Sequence, residues 1–211
     1  MSPSTDRARR VTLSFDNGPT PGVTENVLDL LAERDAHATF FVIGEKLRNV
    51  DARALAERAV AEGHQVGNHT LSHKVPLGQL ERDGHIDEVI RQIDEAQALL
   101  GDLAPRKLFR PYGAGGVLDD RLIGPHGLAH LKRNGFESVT WNCVPRDWVD
   151  PAGWVETCAA MMTEQQWSVI VVHDIANAAL DGLPRLLDRL AANDIELRDD
   201  FPDDCRLTLI E

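Results

Sequence analysis

Two histidines four residues apart, in His69-Thr70-Leu71-Ser72-His73, are the sharpest chemical signal in the chain. On a helix, residues at this spacing share one face, so both imidazoles would reach one cation. Imidazoles joined by a carboxylate or carbonyl oxygen suit Zn²⁺ and similar divalent ions, and a coordination position left to water makes such a site catalytic. The spacing alone is not specific, because surface and hydrogen-bonded histidines share it. His126 and His130 repeat it in a Pro/Gly-rich segment with no acidic residue at a strand end, and are read as non-ligating.

Other reactive groups stand where apolar runs stop. Asp16 lies between such a run and the Gly18-Pro19 turn. A carboxylate there can serve as general base toward water, although Asp before Gly and Pro more commonly caps or turns the chain. Arg110 ends another apolar run, where a lone guanidinium is costly. It is expected either to pair with a carboxylate, Asp16 being the natural one, or to extend to the surface. His173 closes Val169–Val172, and Asp147 offers a carboxylate after the preceding run. A His–Asp pair raises the imidazole pKa and fixes its tautomer, which suits a general acid; a satisfied core histidine is the plainer alternative. Asp174 is expected to point elsewhere. Trp148, Trp141 and Phe109 are candidate walls of a sugar-binding groove, although aromatics near strand ends are more often core.

Positioning these groups falls to alternating short β-rich runs and amphipathic stretches. Strands are expected over Val11–Phe15, Ala38–Ile43, Gln65–Asn68, Lys107–Arg110, Ser138–Cys143, Ser168–Val172 and Arg206–Ile210. Helices are expected over Thr24–Arg34, Asp51–Glu62 with Asp51 as cap, Leu80–Leu100, Asp119–Asn134, Trp154–Glu164 and Leu183–Asn193. Such alternation implies parallel β-α units. The expected fold is α/β, a distorted (β/α) barrel with about seven parallel strands and a single domain over residues 1–211. An open doubly wound sheet is the alternative. The active site of an α/β barrel lies at the C-terminal mouth of its strands. Five separate segments place polar, titratable groups there.

Composition narrows the partners. Hydrophobic residues make up 43% of the 211, enough for a large core. The formal net charge of -12 repels phosphate backbones, so nucleic acid is excluded and a neutral or cationic ligand fits better. No apolar stretch approaches the roughly 20 residues of a membrane helix, and no apolar segment backs the basic N-terminus. A cytoplasmic protein without a membrane partner is expected. Three widely spaced cysteines, Cys143, Cys158 and Cys205, read as buried thiols.

The chain resembles the polysaccharide deacetylase family, the NodB-homology group also called carbohydrate esterase family 4, from Val11 to about Ile210. The family's T-F-D-D-G-P motif is matched by Ser14-Phe15-Asp16-Asn17-Gly18-Pro19, and H-[ST]-x-x-H by His69 to His73. An R-P-P-[YF]-G type looks like Arg110-Pro111-Tyr112-Gly113, a D-x-W type like Arg146-Asp147-Trp148, and an apolar strand ending in His like Val169 to His173. The resemblance implies a barrel of fewer than eight strands and a divalent metal, Zn²⁺ foremost, with Co²⁺, Mn²⁺ or Ni²⁺ as alternatives. It implies removal of an acetyl group from an N-acetylated sugar. Asp16 would be the base, Asn17 with His69 and His73 the metal ligands, and Arg110 the orienter of Asp16. The Tyr112 backbone N–H would stabilise the oxyanion. His173, tuned by Asp147, would protonate the leaving amine, and Trp148 with Tyr112 would contact substrate.

Two departures stand out. Asn17 replaces the family's metal-binding aspartate, and Arg110-Pro111-Tyr112 is one proline short, followed by an unusual Gly113-Ala114-Gly115-Gly116 loop. A small-molecule amide or cyclic-amide hydrolase, and a non-catalytic sugar-binding relative, stay open as other readings. An amide oxygen ligates without bringing negative charge. Metal titration is therefore expected to show tighter binding by Asn17→Asp than by the natural chain; equal affinities would refute the argument.

Overall fold

Buried runs of Val, Ile, Leu and Phe favour strands that are covered on both faces, and this chain has two of them. The computed structural model describes residues 9–207. Strands β1 (Arg10–Asp16) and β6 (Trp167–His173) are buried at every position but their first. Around them lie β2 (Thr39–Val42), β3 (Gln65–Asn68), β4 (Leu108–Phe109), β5 (Glu137–Ser138) and β7 (Glu196–Leu197). All pair in parallel in one seven-stranded sheet of order β5-β4-β3-β2-β1-β6, with β7 added beside β1. The sheet curls: past β5, Cys143 forms a parallel bridge with Ile170 of β6, so the two ends of the order meet. This is the expected distorted (β/α) barrel of seven parallel strands.

Among the described residues seven α-helices cover it: α1 (Thr24–Ala32), α2 (Val50–Ala61), α3 (Leu77–Arg82), α4 (Ile86–Leu100), α5 (Pro125–Arg133), α6 (Trp154–Met162) and α7 (Leu183–Ala192). Side chains alternate along a strand, and the two cores follow that alternation. Val11, Leu13 and Phe15 join Ile170 and Val172 against Leu28, Leu31, Val155 and Leu186 of the helices. Val169 and Val171 turn the other way, toward Phe41, Phe109, Val139, Trp141 and Phe201. The alternate positions of β1 past its half-buried first residue, namely Thr12, Ser14 and Asp16, are buried polar groups. The barrel interior is thus where charge has been placed.

Several expectations are corrected. The helix expected over Leu80–Leu100 is two, α3 and α4, because Gly84 adopts φ +83 and breaks it. The expected Asp119–Asn134 helix keeps only α5. Asn49, not Asp51, caps α2, its side chain accepting from the N–H groups of Asp51 and Ala52. The fourth and fifth strands shrink to two residues each. Most of the expected last strand lies outside the described residues; Arg206 makes only an isolated antiparallel bridge to Val139, and β7 arises earlier. All three cysteines are buried and free. Among the described residues no helix is long and apolar enough to cross a membrane.

Gly67 in β3 admits no side chain, since an added Cβ would sit 2.7 Å from the Phe41 ring. Gly67→Ala is expected to lower the unfolding free energy by about 1–3 kcal/mol, the usual cost of overpacking, read from urea denaturation.

Candidate active site

The strand register fixes the site's frame. Asp16, the last residue of β1, lies opposite His173, the last of β6. Asn68 ends β3 opposite Phe109 of β4, which places His69 and Arg110 one residue further along neighbouring strands. The C-terminal ends of four strands therefore bring Asp16, His69, Arg110 and His173 to one mouth.

Arg110 is fully buried and Asp16 nearly so. Arg110 Nη1 donates to Asp16 Oδ1 at 2.8 Å and to Ser14 Oγ at 2.7 Å, while Nη2 donates to the Thr140 carbonyl at 3.3 Å. The guanidinium lies 3.9 Å above the Phe41 ring, a cation–π contact strengthened by the dry surroundings. Burial pushes the Asp16 carboxyl up, but the Arg110 charge foremost, with the His173 charge and the Arg110 hydrogen bond, outweighs it and holds the pKa below the ordinary carboxylate value. Asp16 is an ionised base.

His69 Nδ1 sits 2.9 Å from the Arg110 carbonyl oxygen. A carbonyl can only accept, so Nδ1 carries the proton and Nε2 keeps a lone pair. That nitrogen is 3.6 Å from Asp16 Oδ2. Burial lowers the pKa of His69, and drives that of His73 down to about 3. Both rings are neutral, the ligating form. Their centroids are 4.8 Å apart, and Tyr112 lies on the far side of His73 at 3.8 Å.

His69 to His73 is not helical. Thr70 and His73 have φ of 67° and 53°, and Asn17 and Arg146 add 76° and 59° at the same mouth. A positive φ is a steric outlier for a β-branched residue such as Thr70, and persists only where surroundings enforce it. Here Asn68 Oδ1 accepts from Thr70 N–H at 2.9 Å, and Asn68 Nδ2 donates to the Ile93 carbonyl of α4 at 2.9 Å. Gln92 Oε1, also on α4, accepts from Ser72 N–H at 2.9 Å. A clamped loop, not a helix face, brings the imidazoles together.

His173 is held twice by Asp147. Oδ1 accepts from the ring Nδ1 and Oδ2 from the backbone N–H, both at 2.8 Å. Burial lowers the pKa of His173, but the hydrogen bond and charge of Asp147, together with the charges of Asp16 and Asp174, more than offset this and leave it raised. The free Nε2 is the ring's remaining donor. Trp148 packs edge-on to it at 4.7 Å.

Asp16, Asn17, His69, His73, Tyr112, Trp148 and His173 all line one cavity of about 250 Å³, with Trp141, Val144, Val171 and Ile175 as its apolar wall. Trp141 is fixed by Gly113 and Gly116. An added Cβ on Gly113 would fall 2.4 Å from the indole, whose N–H donates to the Gly116 carbonyl at 3.0 Å. The glycine loop is thus shaped to lie on the tryptophan. Arg110 and Asp147 support the cavity from behind without lining it. Phe109 is fully buried core and forms no groove wall. His126 and His130 bond Glu81 and Asp94 on the helical surface instead.

Among the described residues, no three His, Cys, Asp or Glu side chains are arranged to hold a metal. The donor set that fits a cation is two imidazoles and an amide. Asn17 Oδ1 is buried without a hydrogen-bond partner among the described residues, and Asn17 lines the same cavity as His69 and Asp16. A buried amide oxygen left without a donor, in a cavity shared with an imidazole lone pair and a carboxylate, fits a cation. Residues that sequence reasoning missed here are Ser14, Asn68, Gln92 and Thr140. The short polar run Gly67-Asn68 before His69 was the available signal for Asn68.

The chain matches the family described as polysaccharide deacetylase over residues 4–136. It is 36% identical over 196 residues to a chitooligosaccharide deacetylase of Sinorhizobium fredii (strain NBRC 101917 / NGR234), covering 91% of this chain and 80% of that protein. The structure of the peptidoglycan deacetylase PdaC from Bacillus subtilis superposes with a TM-score of 0.68 at 27% identity, covering 90% of this chain and 87% of that one. A family 4 acetyl xylan esterase from Clostridium thermocellum, in complex with a cobalt ion, shares the fold with a TM-score of 0.71 at 24% identity, over 90% and 87% of the two chains.

Removing the Asp147 charge should lower the His173 pKa, since Asp147 is the foremost of the groups that raise it. Asp147→Asn is expected to move the His173 imidazole titration, followed by NMR, to lower pH; an unchanged midpoint would contradict the assignment.

Proposed function

The chain belongs to the polysaccharide deacetylase family and is a hydrolase of non-peptide amide bonds; from this premise we propose that it removes the acetyl group of an N-acetylated amino sugar with the residues described above. One observation carries the reading: an ionised carboxylate and a raised-pKa imidazole face each other at the ends of adjacent strands. Base and acid are thereby set on one cavity.

In this proposal Asn17 Oδ1, His69 Nε2 and the His73 ring hold a divalent ion, with Zn²⁺ foremost for a nitrogen and oxygen donor set and Co²⁺, Mn²⁺ or Ni²⁺ as alternatives. The chemistry such an ion supplies when bound is Lewis acidity toward the acetamide and a lowered pKa for water. Asp16 Oδ2 accepts the proton of the attacking water, while Arg110 fixes the other carboxylate oxygen. The new C–O bond forms as the carbonyl becomes an oxyanion, toward which the Tyr112 backbone N–H is assigned as donor. His173 Nε2 then donates its proton to the departing nitrogen as the C–N bond breaks, giving acetate and a free amine. Trp148 and Tyr112 offer flat faces to the sugar.

Among the described residues that line the cavity there is no lysine or arginine, and the chain carries a net charge of -12. Both features favour a neutral saccharide over one bearing a carboxylate. Acetate release from acetylated chito-oligosaccharides is the direct assay. It is expected to be abolished by chelation or His69→Ala, and to fall about 10²–10⁴-fold with Asp16→Asn. The rate should drop at low pH as Asp16 is protonated and at high pH as His173 loses its proton. Turnover that survives exhaustive chelation, or turnover of cyclic ureides alone, would overturn the proposal.

A further inference from the structure

Behind the cavity, on the face of β6 opposite to His173, lies a buried acid that the proposed reaction does not use. Asp174 is 1% exposed. Its Oδ2 accepts from Thr24 Oγ1 at 2.6 Å. Thr24 Oγ1 in turn accepts from Thr20 N–H at 2.7 Å, and Thr20 Oγ1 accepts from Lys46 Nζ at 2.9 Å. Asp174 Oδ1 is buried with no hydrogen-bond partner among the described residues. A buried, half-satisfied carboxyl costs stability, so its retention calls for a physical reason.

The reason lies in what rests on it. Asp174 is pressed against the backbone of Gly18: a Cβ added there would fall 1.9 Å from Oδ2 and 2.2 Å from Oδ1. Gly18 directly follows Asn17, whose left-handed backbone at φ 76° turns its amide into the cavity. The Gly18 carbonyl is held from the other side by Ile43 N–H at 3.2 Å. The first loop is therefore gripped at Gly18 between β2 and Asp174, and tied at Thr20 and Thr24 by a chain of hydroxyls ending on the same carboxyl.

We propose that Asp174 is a positioning residue that sets the direction of the Asn17 side chain through Gly18, and so tunes the cation affinity of the site. It touches neither cation nor substrate in this assignment. The inference rests on the metal reading above for its functional consequence, but the geometric claim about Asn17 stands separately. Orienting groups behind a metal ligand typically affect affinity about 10–100-fold.

The test uses the full chain. Co²⁺ binding is followed by calorimetry without substrate, backbone amide resonances of Asn17 and Gly18 by NMR without metal, and acetate release by kinetics. Asp174→Ala is expected to weaken Co²⁺ binding about 10–100-fold, to shift both amide resonances, and to lower kcat while leaving KM within about twofold. Asp174→Asn keeps an acceptor for Thr24 and the same shape, and is expected to restore most of each. Thr24→Val, which leaves the carboxyl in place, should move the same readouts less, and serves if Asp174→Ala fails to fold. Co²⁺ affinity and Asn17 resonances unchanged in folded Asp174→Ala and Thr24→Val would overturn the proposal. A natural chain that binds no Co²⁺ would instead defeat the metal reading, and the Asn17 resonances alone would then decide the role of Asp174.

Discussion

A carboxylate and a guanidinium sealed inside a curled sheet constrain everything around them. Asp16 and Arg110 are both buried, and neither could be so alone, because breaking such a pair typically costs about 3–5 kcal/mol. The guanidinium is therefore met on several sides, by Asp16, by Ser14, by the Thr140 carbonyl and by the Phe41 ring. They come from three places in the barrel: Ser14 and Asp16 from β1, Phe41 from β2 and Thr140 from the chain after β5. The pair can exist only when β1, β2, β4 and the chain following β5 are all in register. That requirement ties the chemistry to the fold.

The second constraint is electrostatic balance across the cavity. Arg110 holds Asp16 ionised, and Asp147 holds a proton on His173. Burial acts against both charged forms, so each needs its own counter-charge behind it. The two supports differ in kind. Arg110 reaches Asp16 from across the barrel, whereas Asp147 grips the ring and the backbone of His173 together. Between these poles the His69 and His73 rings stay neutral because burial lowers their pKa values. An ionised base, a protonated acid and neutral donors can thus share one cavity at one pH.

Strain collects at the same mouth. Asn17, Thr70, His73 and Arg146 all have positive φ. None is glycine, so each must be held by its surroundings. Asn68 at the end of β3, itself tied to the Ile93 carbonyl of α4, and Gln92 on α4 hold the histidine loop, and Asp174 with Ile43 holds the loop of Asn17. Helix α4 therefore does more than cover the sheet. With the residues at the ends of β2, β3 and β6, it carries the partners that keep these loops in conformations they would not adopt alone.

Much of this was legible in the chain. The parallel barrel followed from apolar runs alternating with amphipathic stretches, because strands covered on both faces need continuous Val, Ile, Leu and Phe. The reactive residues followed from standing one step past those runs, where a barrel has its mouth. Other features needed three dimensions. The histidine spacing suggested a helix, but four residues of separation also suit a tight loop, and contacts with α4 far along the chain, Gln92 to Ser72 and Asn68 to the Ile93 carbonyl, decide between them. The helix from Leu80 broke at Gly84 because a left-handed glycine ends a periodic pattern that hydrophobicity alone continues. Phe109 and Trp141 look alike in sequence, yet one is core and the other lines the cavity, since the glycine loop lies only on Trp141. Residue type determined which groups could carry charge or protons; tertiary structure decided which of them were buried beside an opposite charge, because desolvation and Coulomb attraction depend on neighbours the chain brings from far away.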